Sequence, residues 1–206
     1  LEHPTASARK RLSKADRKRQ LLDVAKAMLE ADGADDLTLA GLAERAGVSK
    51  PIAYDHFGSR SGLLIALLED TSQYYETDAE AKLSAAPETI PAISQIVATA
   101  YVHCAIAAGP AVTTLAAAAE ADSEARLSGR ALQTRHADSF ARAFATVLDD
   151  DQPRLKLLFR GLVAASNAIC DDRTQNKITS EAAIEKLHNL LMNSLNQIAK
   201  TTVQIR

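Results

Sequence analysis

Apolar residues recur at helical spacing along the chain, whereas Val- and Ile-rich runs that alternate apolar and polar are missing, so the pattern predicts an all-α protein. Leu21, Val24, Ala25, Met28 and Leu29 follow the i, i+3, i+4, i+7, i+8 template and predict an amphipathic helix over about 16–31, ended by Gly33. Thr38 then offers an N-cap, and Leu39, Leu42 and Ala43 begin a second helix that Gly47 stops, at a reversal suited to positive φ. Ser49 is placed to cap a third, short helix. Pro51 falls in its first turn, where a missing N–H costs little. In that helix Ala53 and Phe57 face inward, leaving Lys50, Ile52, Tyr54, Asp55 and His56 on the outer surface.

Beyond residue 60 the punctuation divides the remainder. A long helix is expected from Ser61 to Leu83, interrupted by Ala86-Pro87 and Pro91, and another from Ile93 to Ala107, broken by Gly109-Pro110. An Ala-rich helix to Ala121 follows, then helices over about 123–148, 154–170 and 180–200, with Asp149-Asp150-Asp151 and Pro153 between the first two. The expected total is about nine helices. No stretch approaches the ~18 uninterrupted apolar residues of a membrane span, and no signal-peptide pattern opens the sequence, which points to the cytoplasm.

Charge sharpens the picture. The formal net charge is -2, yet the stretch Arg9 to Arg19 contains seven bases and a single acid. From residue 61 onward the balance reverses, with 13 Lys or Arg against 17 Asp or Glu. A basic arm beside two short helices joined by a Gly-Val-Ser turn is the arrangement of a helix-turn-helix that meets phosphates, and such an arm suits an adjacent minor groove.

These residues resemble the DNA-binding domain of the tetracycline-repressor (TetR) family of bacterial transcription regulators. The resemblance covers residues 16–69 and rests on Leu37-Thr38-Leu39, the run from Leu42 to Ser49, Tyr54-Asp55-His56-Phe57, and Ser59-Arg60 leading into Leu63, Leu64 and Ile65. It implies a flexible basic arm over 1–15, a helix-turn-helix domain over 16–60, and a ligand-binding and dimerisation domain over 61–206. It also implies roles: Thr38, Ser49, Tyr54, His56 and Arg60 would meet phosphate oxygens, while Lys50, Pro51, Ile52 and Asp55 would face base edges. Ile52 and Ala53 depart from the residues many relatives carry, so operator preference is not transferable.

The resemblance further implies a homodimer on a pseudo-palindromic operator and a small-molecule effector that releases it. Leu158, Leu162, Ala165 and Ile169, with Leu187, Leu191 and Leu195, form stripes that two copies would merge into a four-helix bundle; use of both stripes inside one subunit is the alternative. Effector-pocket candidates are Tyr74, Tyr75, Tyr101, His103, Phe140, Phe144, Phe159 and Asn167. A ligand-independent regulator or activator of the same fold is the closer alternative. An all-helical enzyme is the distant one, since no nucleophile elbow, phosphate-cradling loop or paired-carboxylate site is visible. Cys104 and Cys170 stand far apart without metal-ligand spacing, and neighbouring His103 and Cys104 point about 100° apart on a helix, so no metal or cofactor is expected.

Overall fold

The computed structural model describes residues 12–33, 36–118, 123–148 and 152–204. Most of the basic arm (residues 1–11) and the Asp149-Asp150-Asp151 run lie outside them. Eight α-helices and no strands occur among the described residues: α1 Lys14–Asp32, α2 Leu39–Arg45, α3 Lys50–Phe57, α4 Arg60–Leu83, α5 Ile90–Ala118, α6 Ser123–Phe144, α7 Gln152–Thr174 and α8 Ser180–Gln204. The chain divides into two compact units, Leu1–Leu63 and Leu64–Arg206.

The smaller unit is built on caps. Ser13 Oγ accepts from the Asp16 N–H at 3.1 Å to start α1, and Thr38 Oγ1 accepts from the Gly41 N–H at 3.0 Å to start α2. Gly47, at φ 65°, closes α2 as a Schellman turn: the Val48 N–H donates to the Ala43 carbonyl and the Gly47 N–H to that of Glu44. Ser49 occupies the N-cap of α3, but its side chain makes no capping hydrogen bond. The reason is local. Pro51 has no N–H to offer, and the Ile52 N–H is already held by the Ser49 carbonyl at 3.0 Å. Leu21, Ala25, Met28, Leu37, Leu42, Ala53 and Phe57 form the buried centre, and Arg45 ties α2 to α1 through Asp32 at 2.7 Å.

The larger unit centres on α5, which packs against α6, α7 and α8. The break expected at Gly109-Pro110 does not occur, and this reduces nine helices to eight. Ile93, Val97, Tyr101, Cys104, Ala108, Ala111 and Leu115 are all buried at spacings of three and four, so one inward stripe continues through the proline. Burial on both sides offsets the backbone donor that Pro110 lacks. The Ile90–Gly109 segment is long and apolar enough to cross a membrane, with mean hydropathy 1.5, but its Val97, Ala98, Tyr101 and Val102 belong to the core of a helical body.

One expectation about faces is corrected. Leu187, Leu191 and Leu195 are completely buried in the core of their own chain, and Leu162 is buried beside them. These three leucines of α8 are therefore packed inside one subunit, where α8 lies against α5 and α7. Leu158 and Ile169 pack partly against that core, Ala165 is half-buried, and Leu157 is 70% exposed.

Candidate nucleic-acid interface and body cavities

The outward face of α3 has the composition of a groove-reading surface. Lys50, Pro51, Tyr54 and Asp55 are exposed, Ile52 and His56 are half-buried, and Ala53 and Phe57 anchor the opposite side. Tyr54 is 52% exposed and stands on the outer face of α3. Asp55 pairs with Lys14 at 3.3 Å, both side chains being well exposed, so the pair adds little stability but tethers a basic residue of α1 beside α3. Burial lowers the His56 pKa most, and the cationic Lys14, Lys18 and Arg17 lower it further against the opposing pull of Asp55. A neutral imidazole amid three bases can donate one N–H to a phosphate oxygen and is surrounded by the charge that attracts it.

Two residues at the edges of this face are positioned by backbone. Thr38 is exposed while its hydroxyl oxygen caps α2, and Arg60 donates from Nε to the Leu37 carbonyl at 2.8 Å. That bond aims the guanidinium from the first turn of α4 toward the start of α2. The α3–α4 turn is exceptionally close: a Cβ on Gly62 would overlap the Phe57 carbonyl oxygen, while Ser59 Oγ accepts from the Gly62 N–H at 3.0 Å. Gly62 thereby lets Arg60 sit one turn from the end of α3.

Two sizeable cavities lie among the described residues of the body. The first, about 390 Å³, lies among α4, α5 and α6 and is lined by Tyr75, Glu76, Leu83, Ile93, Phe140 and Arg142, among others. The second, about 470 Å³, is lined by residues that include Ala105, Val112, Arg126, Arg130, Asn167 and Cys170. Ser72, Tyr101, Cys104 and His136 line both. These four form a polar partition: His136 Nε2 lies 3.2 Å from Ser72 Oγ, Cys104 Sγ lies 3.8 Å from the same oxygen, and Tyr101 Oη donates to Asn167 Oδ1 at 2.7 Å. Burial, aided by Arg135, depresses the His136 pKa to about 4, so it is neutral at pH 7. Both thiols are free, buried and shifted up by desolvation, Cys170 to about 12, which makes them poor nucleophiles.

Of the residues singled out for a pocket, Tyr75, Tyr101 and Phe140 line the first cavity, and Tyr101 and Asn167 the second. Phe144 and Phe159 are fully buried and stack on each other at 5.7 Å; Tyr74 is 68% exposed and His103 is exposed, and none of these four lines either cavity. Sequence reasoning missed Ser72, Glu76, Cys104 and His136. A signal existed: Ser72, Tyr75, Glu76 and Ala79 continue the inward stripe of Leu64 and Leu68 on α4, and His136 occupies the stripe of Phe140 on α6, so polar groups stand where apolar ones are expected.

Comparison with known proteins agrees with this division. Residues 21–67 match the family model described as bacterial regulatory proteins, tetR family. No curated protein sequence matches the chain. A tetR-family transcriptional regulator from Streptomyces coelicolor superposes with a TM-score of 0.64 at 18% identity, over 89% of this chain and 83% of its own. The fatty acid degradation regulator FadR from Bacillus halodurans gives 0.65 at 14%, over 84% and 96%. The multidrug binding protein EbrR, solved with imidazole, gives 0.59 at 20%, over 84% and 94%. Over 84–89% of its length the chain thus has the fold of these proteins, and the family match falls on the segment that holds α2 and α3.

Proposed function

We propose, from a tetR-family DNA-binding head on a body of the same fold, that this protein is a cytoplasmic transcriptional repressor that binds a pseudo-palindromic operator as a homodimer and leaves it when a small molecule enters the body. The observation that carries the reading is the exposed face of α3, set beside Lys14, Arg17 and Lys18 of α1, within the segment that matches the family. Lys50, Pro51, Ile52 and Asp55 read bases, with Lys50 suited to guanine O6 and N7; Thr38, Ser49, Tyr54, His56 and Arg60 hold phosphates. Ser49 is fitted to this task, since its hydroxyl is exposed and not spent on its own helix.

Dimerisation follows from geometry on DNA. A single head of about 50 residues binds weakly, whereas two recognition helices reach successive major-groove faces about 34–36 Å apart. The surface on offer is the outer face of α7, where Leu157, Gly161, Ala164 and Ala168 are exposed at spacings of four and three beside half-buried Leu158, Ala165 and Ile169. The effector occupies a body cavity, and α4, which begins at Arg60 and whose Ser72, Tyr75 and Glu76 line the first cavity, is the covalent route from effector to head. Moving operator occupancy from about 99:1 to 1:99 requires the effector to favour the released form by about 5.5 kcal/mol.

Base reading and phosphate holding separate by mutation. Lys50→Ala relaxes discrimination at one operator position by about 1–3 kcal/mol, while Arg60→Ala weakens binding to all sequences and flattens the salt slope by about one per half-site. Unchanged base preference in Lys50→Ala removes the recognition role from α3.

A further inference from the structure

We infer that the cavity between α4, α5 and α6 takes a compact organic cation, a protonated amine whose N–H groups can donate, carried on an aryl or short alkyl body. The inference rests on the effector reading above and names its chemical class. Three carboxylates line this cavity, Glu76, Glu80 and Glu88, against the single guanidinium of Arg142. Glu76 is the inner one, with its side chain only 15% exposed. Its nearest counter-ion, Arg135, stands 3.5 Å away, and neither Glu76 Oε1 nor Arg135 Nε has a hydrogen-bond partner. A buried carboxylate held so loosely has desolvation that its ion pair does not repay, and a donor from a ligand would satisfy it. Burial correspondingly shifts the Glu76 pKa upward despite Arg135 and Arg142, so an arriving cation also secures its charged form.

The rest of the lining fits the body of such a molecule. Tyr75, Tyr101 and Phe140 supply aromatic wall, and the Tyr101 ring meets Phe140 and His136 edge-on, each at 5.3 Å. Aromatic rings beside a carboxylate attract a cation through the ring quadrupole as well as by charge. Leu83, Ile93, Val97, Ala100 and Ala143 provide apolar contact, and about 390 Å³ falls in the range of small-molecule sites. The neighbouring cavity has the opposite balance, with Arg126 and Arg130 against Asp171, so charge distinguishes the two compartments.

The test is titration calorimetry of the full chain with three probes of similar length that differ in charge: phenylbutylammonium, phenylbutanol and phenylbutyrate. The cation is expected to bind about tenfold or more tightly than the alcohol, and the carboxylate least. Glu76→Gln, checked for an intact melting transition, brings the cation to the level of the alcohol, and Ala143→Phe fills the cavity and removes all binding. The charge series on the unmodified protein decides the matter even if Glu76→Gln fails to fold. Equal or tighter binding of phenylbutyrate overturns the cation while leaving a ligand-taking body, and a cation preference that survives Glu76→Gln overturns Glu76 as its anchor. No binding of any probe by protein that still selects its operator overturns both the cation and this cavity as the effector site.

Discussion

Replacing Leu191 by Ala tests where the energy of α8 is spent. The side chain is completely buried, at the same depth as Leu187 and Leu195 one turn to either side, and it belongs to the cluster that includes Phe144, Phe159 and Val102. Leu→Ala removes three carbons, worth about 2 kcal/mol by transfer alone, and the surrounding helices of a closely packed bundle close only partly around the void. The expected loss is about 2–5 kcal/mol, or roughly 4–20 °C in melting temperature for a body of this size. The assay is thermal and urea unfolding across a hundredfold range of protein concentration. Because the site lies inside one chain, the deficit should be the same at every concentration, while the dimer dissociation constant measured by sedimentation stays within about threefold of the original. Leu157→Asp is the contrasting variant: on an exposed position it should cost the subunit under about 0.5 kcal/mol yet weaken the dimer more than tenfold. A Leu191→Ala deficit that vanishes at high concentration, with a weakened dimer and an unharmed subunit, would refute the placement of α8 in the core.

Gly62→Ala should unfold or displace the α3–α4 turn, since the added Cβ meets the Phe57 carbonyl oxygen; the expected outcome is a lower melting temperature and DNA affinity reduced at least tenfold, read by circular dichroism and fluorescence anisotropy. His136 is depressed to about 4 in the folded chain against 6.5 unfolded, so the unfolded state binds more protons between those values and stability falls as pH drops through the window, by on the order of 3 kcal/mol; Glu76, shifted upward, works in the opposite sense. His136→Gln should flatten the pH dependence of urea unfolding between pH 6.5 and 4, and an unaltered slope would remove His136 as its source. Cys104 and Cys170, buried and with raised pKa values, should react with a thiol reagent at pH 8 only on unfolding, and fast modification of the native protein would contradict their burial.

The head was legible because its instructions are local. Thr38 capping α2, the positive φ of Gly47, and Ala53 and Phe57 turned inward all follow from residues within one or two turns of each other. Ser49 misled, since a capping residue is recognised by type while the donor it needs was removed two positions later by Pro51. In the body, Gly109-Pro110 reads as a stop by any local rule, yet the helix runs through because Ala108, Ala111 and Leu115 find partners distant in sequence. The same limit explains the α8 stripe. Periodicity identifies an apolar face but not what covers it, and here the cover is the chain's own core. The first cavity arises where α4, α5 and α6 converge, and of its lining Tyr75, Tyr101 and Phe140 were recognisable as aromatic, whereas Glu76 and His136 gain meaning only from burial.

Sequence-specific binding of DNA by α3 is measured by an equilibrium titration of the purified protein on the intergenic DNA beside its own gene, against scrambled DNA at two salt concentrations. Tight, salt-sensitive binding with a preference of roughly a thousandfold or more is expected. Equal, weak binding to both DNAs at both salts, by protein that is folded and dimeric, would contradict it.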